Sequence, residues 1–186
     1  MAQAAIRDVL LRNRARTAEM VMSQKDGLKR QLRRVREMTD RLVADFTKPE
    51  QWVYQVHSNC NHALWFVGHM ATTDNFLLSM VAPDQARLPE GFQAKFGVGS
   101  HPSNNPSDYP SPDEVLSVMH ERRQTLLNVL EGLTEQDLSR STPAGTPDFL
   151  PDFGSVFELA VWHEGLHAGQ LTVVRRALGF PPVMGA

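Results

Sequence analysis

The sequence predicts an all-α fold, a four-helix bundle with long connecting loops, and three observations carry that reading. Apolar residues recur every three or four positions along stretches without proline. No stretch alternates apolar and polar residues with the period of two that a half-buried strand needs. The prolines collect between the periodic stretches, where they punctuate rather than interrupt. With 186 residues, 41% of them hydrophobic and 22% charged, the chain suits one domain over residues 1–186.

The elements follow in order. Residues 4–46 contain no proline and only Gly27, which predicts a helical leader over 1–16 and a longer helix from about Thr17. Leu28, Leu32, Val35, Met38, Leu42 and Val43 form its apolar stripe. Pro49 ends the pattern, and Ser58 is the expected N-cap of a second helix over Cys60–Met80 carrying Leu64, Val67, Met70, Leu77 and Leu78. Five prolines and three glycines between Ala82 and Ser111 predict a long irregular connection, expected as a rim or lid over a site. Ser111-Pro112-Asp113-Glu114 then starts a third helix: a cap, a proline in the first turn and two acids against the dipole. It runs to about Leu130 before Gly132, and residues 134–137 form one short turn. Residues 141–154, with Pro143, Pro147 and Pro151, read as a loop. The last helix spans about Ser155–Leu178 and is closed by Gly179 and Pro181-Pro182, so the bundle core covers 17–178.

Charge and cysteine content narrow the function classes. A formal charge of −2 and a pI near 6.4 give no general reason to expect nucleic acid as a partner. Residues 1–46 hold eleven Lys/Arg against six Asp/Glu, read as a solvated face. Cys60 is the only cysteine, which excludes an intrachain disulfide and a cysteine-rich metal site. Apolar runs such as 63–67 fall well short of the ~20 residues that span a bilayer. The first residues include an arginine and an acid where a signal peptide needs an apolar stretch. The expectation is a cytoplasmic protein with neither membrane nor nucleic-acid partner.

The seven histidines point to chemistry. His163 and His167 lie one helical turn apart, about 40° around the axis, so both imidazoles leave the same face. That spacing lets two ring nitrogens reach one ion at the usual ~2.0–2.1 Å. His69 sits among Trp65, Phe66, Val67 and Met70 on a helix face expected to be buried. A neutral imidazole in an apolar interior needs partners, and a metal is an efficient one. Three histidines from two helices therefore predict one divalent metal ion held by His69, His163 and His167. The competing reading is core histidines bonded to neighbouring carbonyls.

The remaining candidates stand further out. His62, two turns before His69 and ~10 Å along the axis, is expected at the site rim or in packing. His57 is a candidate for a site mouth, and His101 and His120 are expected on the surface. His163-Glu164-Gly165-Leu166-His167 matches the H-E-x-x-H pattern of zinc proteases, but no His, Asp or Glu follows His167 to supply a third ligand. Glu164 is therefore expected in a salt bridge or behind the ligands. Cys60 is expected as a buried, inert thiol facing away from the metal.

The run Asn61-His62-Ala63-Leu64-Trp65-Phe66-Val67-Gly68-His69, followed by Asp74 and later by Trp162-His163, His167 and Gln170, resembles the DinB-like (YfiT-like) metalloenzyme superfamily. The resemblance extends over roughly residues 17–178 in helix order and loop placement. It implies a four-helix bundle in which His69, His163 and His167 bind Zn, Ni or Fe, with Asp74 at the position of an acid common after the first ligand. Glu164, Gln170 and His62 would stand behind the ligands or line the pocket. Relatives in that superfamily include bacillithiol S-transferases and mycothiol-dependent maleylpyruvate isomerase. The metal-binding domain of ergothioneine-forming sulfoxide synthases also belongs there. The resemblance thus implies a metal that activates a low-molecular-weight thiol.

Three neutral ligands leave coordination positions open, the arrangement of a catalytic metal. The leading expectation is thiol transfer to an electrophilic small molecule. The alternatives are metal-dependent hydrolysis of a small ester or amide, and a non-catalytic metal-binding bundle. Residues 82–110 and 141–154 are expected to shape access, with Phe92, Phe96, Tyr109, Phe149 and Phe153 as candidate walls. Spare apolar surface on such bundles suits a homodimer.

Overall fold

Four long helices follow the apolar stripes of the sequence, in a computed structural model that describes residues 23–58 and 60–183. They are α1 (Gln24–Val43), α3 (Ala63–Val81), α5 (Pro112–Gly132) and α6 (Phe153–Ala177), with short helices α2 (Pro49–Trp52) and α4 (Phe92–Phe96) in the connections. The leader expected over 1–16, and the start expected near Thr17, lie outside the described residues. Among the described residues there is no strand, and no helix is long and apolar enough to cross a membrane.

Each long helix starts where a side chain satisfies its first N–H groups. Ser23 caps α1, and Ser111 and Glu114 make a capping box on α5 with Pro112 in the first turn. Asp152 caps α6 through Ser155, which places the start two residues before the expected Ser155. The second helix departs further from expectation. Ser58 is not its cap: α3 begins at Ala63, and the His62 side chain accepts the Trp65 N–H at 3.0 Å. An imidazole with a free Nδ1 lone pair serves where a hydroxyl was expected. Cys60 consequently falls in the loop before α3 and is exposed, not buried. The short turn expected at 134–137 appears as a 3-10 turn over Gln136–Ser139.

Packing places α1 beside α5 and α6, and α3 beside the same two helices. The start of α1 lies near the end of α5, through Lys25 Nζ on the Leu133 carbonyl at 2.8 Å, while Arg175 near the end of α6 donates to the Leu42 carbonyl at 2.6 Å. Helices α1 and α6 therefore run parallel, opposed by α3 and α5. Neighbouring parallel helices cannot be joined by a tight turn, which is why the chain needs residues 82–111 to return along the bundle. That crossover is seated by buried Phe92 and Phe96 of α4.

The interior is divided in two. One apolar cluster contains Leu42, Phe46, Trp52, Leu64, Phe66, Met70, Phe96, Met119 and Leu171. The other contains Leu28, Leu32, Leu77, Leu126, Leu130, Val156 and Phe157. Between them lies a layer of buried charge. Arg36 bonds Glu164 at 2.8 Å and Asp74 at 3.1 Å, and Arg123 bonds Asp74 at 2.9 Å and Glu164 at 2.7 Å. Thr39 donates to Glu164 at 2.6 Å, and the spare guanidinium hydrogens reach the Met119 and Leu32 carbonyls at 2.7 and 3.0 Å. Two arginines against two carboxylates leave the layer neutral and hydrogen-bonded, the condition under which buried charge is tolerated. All four long helices contribute to it, so it fixes their register.

Candidate metal centre

His69 leaves α3 in mid-helix, and His163 and His167 leave α6 one turn apart, toward the same point. One nitrogen of each lies within 4.8 Å of the others, and the rings stand 4.6–5.0 Å apart by centroid. Among the described residues this is the one cluster of three metal-ligating side chains close enough to hold an ion, and no carboxylate or thiol joins it.

Each ring is oriented differently. The Nδ1–H of His69 donates to the Phe96 carbonyl at 2.8 Å, which leaves Nε2 with its lone pair for a ligand. The indole of Trp65 stacks on the same ring at 4.3 Å and 16°. His167 Nδ1 bonds the Gln170 side-chain oxygen at 3.0 Å, so it also presents its other nitrogen. His163 Nδ1 is buried and has no partner. Burial pushes His69 and His163 down to about 4, and it lowers His167 as well. The three rings are thus neutral near pH 7, the form a cation requires. An unpaired buried nitrogen among neutral, pre-oriented imidazoles fits a bound divalent ion.

The Phe96 carbonyl reaches His69 because of Gly68. A Cβ at position 68 would lie 2.3 Å from the Phe96 ring, closer than any real contact, so the missing side chain lets α4 settle directly on α3. Thr72 donates to the carbonyls of His69 and Phe96 at 2.9 and 3.3 Å and ties the two elements together. Further along the crossover, Trp65 Nε1 donates to Ser100 at 2.8 Å. His62 Nε2 meets the Tyr109 hydroxyl at 3.2 Å. The sequence offered no signal for the carbonyl of Phe96, since a backbone acceptor has no residue type.

The other expected residues separate clearly. Gln170 stands directly behind His167. Asp74 and Glu164 turn away from the histidines and belong to the charged layer, both at 1% exposure or less. Burial alone would raise the Glu164 pKa, but Arg123 and Arg36 hold the carboxyl below its usual range. With both oxygens engaged it is no general base, which agrees with setting the protease pattern aside. His62 is the cap of α3, buried at 1% exposure and pushed down to about 4 by that burial. His57 and His101 are exposed, and exposed His120 sits 3.4 Å from Asp40. Phe92, Phe96 and Phe153 are packed in the interior rather than lining a pocket, because each starts or ends a helix that docks on the core. Phe149 is 68% exposed and Tyr109 partly buried.

The chain is thus a helical bundle in which three histidines from facing helices converge closely enough that they could hold a metal ion. The profile of the DinB superfamily matches residues 31–171, and the chain belongs to that superfamily. No curated protein matches the chain significantly.

Proposed function

We propose that the chain is a divalent-metal-dependent enzyme that transfers a low-molecular-weight thiol to an electrophilic small molecule, with His69, His163 and His167 as the metal ligands. The observation that carries this reading is the neutral three-histidine cluster with no protein fourth ligand among the described residues. Zn, Ni or Fe suits imidazole ligands. When bound, such an ion supplies positive charge that lowers the pKa of an entering thiol or water.

The residues around the cluster favour a thiol over water as nucleophile. The one carboxylate beside the ligands in sequence, Glu164, is locked between two arginines and cannot assist a water in giving up its proton, so proton removal from water would fall to the ion alone. A thiol, with a pKa of ~8.5, needs far less help to ionise. It loses its proton to solvent, sulfur forms a bond to the electrophilic carbon, and the leaving group departs with its electron pair. The chain's contribution is orientation: Phe96 and Gln170 fix the His69 and His167 rings, and Trp65 stacks on His69.

Protein loaded in turn with Zn(II), Ni(II) and Fe(II) should conjugate bacillithiol, mycothiol or glutathione to a chloronitrobenzene, followed by absorbance. His69→Ala, His163→Ala and chelation should each abolish the rate. Equal rates in wild type and both variants would end this reading, and chelator-sensitive hydrolysis of an activated ester would replace it.

A further inference from the structure

Beside His69, between α3 and the crossover, a cleft of about 450 Å³ opens to solvent. His69, Thr73, Asn75 and Phe76 line it from the helix, and Gln93 and Val98 from the crossover. None of its lining residues is Asp, Glu, Lys or Arg. The charge nearest in sequence, Asp74, lies between Thr73 and Asn75 but is spent on Arg36 and Arg123 at the opposite side of the helix.

The polar groups of this cleft are unequal. Thr72 and Ser79 donate their hydroxyls to backbone carbonyls and are committed. Asn75 Oδ1 is buried without a hydrogen-bond partner. Its amide turns about a broad terminal torsion and so has a bond to give to a group entering the cleft. Phe76, 47% exposed, supplies an apolar face. With the charge of an ion at the histidines met by the thiolate sulfur, an ionic group elsewhere on the ligand would give up water with no charged side chain of the cleft in return, whereas a neutral group exchanges water for the Asn75 amide bond.

We infer that this cleft takes an uncharged part of the thiol substrate, a hydroxyl- or amide-bearing group with one apolar face, while its sulfur reaches the histidine cluster. The inference rests on the metal-site reading above and adds the substrate's charge to it.

A matched pair of thiols tests it on cobalt(II)-loaded protein: N-acetylcysteine amide, which is neutral, and N-acetylcysteine, which differs only in its carboxylate. Calorimetry reads occupancy, and near-ultraviolet absorption of sulfur on cobalt(II) reads contact with the metal. The amide should bind about tenfold tighter than the acid. Gln93 is exposed, so Gln93→Lys should fold normally and improve the acid about tenfold relative to the amide. Equal affinities with the sulfur absorption present would overturn the inference and leave the thiol reading standing. An amide preference without that absorption would keep the cleft and remove the thiol from the metal. No binding of either thiol would overturn both.

Discussion

The bundle buries two groups of polar side chains on the same helices, and they are built to opposite specifications. Arg36, Asp74, Arg123 and Glu164 form a closed layer in which the charges cancel and carboxylate and guanidinium atoms find partners. His69, His163 and His167 form an open group, uncharged, incompletely bonded and adjoining a cleft. Residues 163 and 164 are consecutive, yet a rotation of about 100° per residue sends one to each group. Polar burial that completes its own hydrogen bonding holds a fold together. Polar burial that stops short of completion, as at His163, leaves an atom free to take a ligand.

The sharpest way to break this comparison is to unbalance the closed layer. Glu164→Ala leaves two arginines facing one carboxylate and should cost about 3–5 kcal/mol, measured by urea denaturation of metal-free protein. The fraction that folds should still bind Zn(II) within a few-fold of wild type. A normal denaturation midpoint with lost zinc binding would reverse the roles assigned to the two groups.

Acidification separates them by pH. His62, His69 and His163 are held near 4 against an ordinary value of 6.5, so the unfolded chain takes up more protons between those values. Stability of chelator-treated protein should therefore fall as pH drops from 6.5 toward 4. Glu164 acts lower: its folded pKa lies below 4.5, and its contribution is lost only as pH falls beneath that value. A melting temperature that stays flat from pH 7 to 5 would show that the histidines are not desolvated. Saturating zinc should remove the upper part of this decline, since it competes with protons for the rings.

The smallest effect should come from Gly68→Ala. The added methyl displaces Phe96 and with it the acceptor for His69, at a cost of about 1–3 kcal/mol in stability. Zinc affinity, read by calorimetry, should drop about tenfold, as expected for disturbing a group behind a ligand. Unchanged affinity would make the crossover a bystander to the metal centre.

Much of this was legible in the sequence because it is written in periodicity. The stripes through α1 and α3 and the proline-bounded connections fixed four helices, and Ser111 through Glu114 marked a helix start that the structure keeps. The i, i+4 spacing of His163 and His167 placed them together for the same reason. What stayed hidden depends on tertiary contact. Arg36 was read with a solvated basic face, although it falls in register with Leu32 and Thr39 on the buried side, and that register was the available signal. His62 as a helix cap, Cys60 as an exposed loop thiol and the Phe96 carbonyl required coordinates, since each follows from where a neighbouring element stops.

The crossover between α3 and α5 has a further consequence for how such a protein diversifies. Its two ends are set by the bundle, and α4 pins its middle to Gly68. The entropic cost of lengthening the stretches on either side rises only logarithmically, by about 0.6 kcal/mol for each doubling. The three clustered histidines and the charged layer sit on the helices, whereas one wall of the cleft sits on this inexpensive segment. Insertions and replacements there can rewrite what the cleft accepts without asking the bundle to refold around a new core.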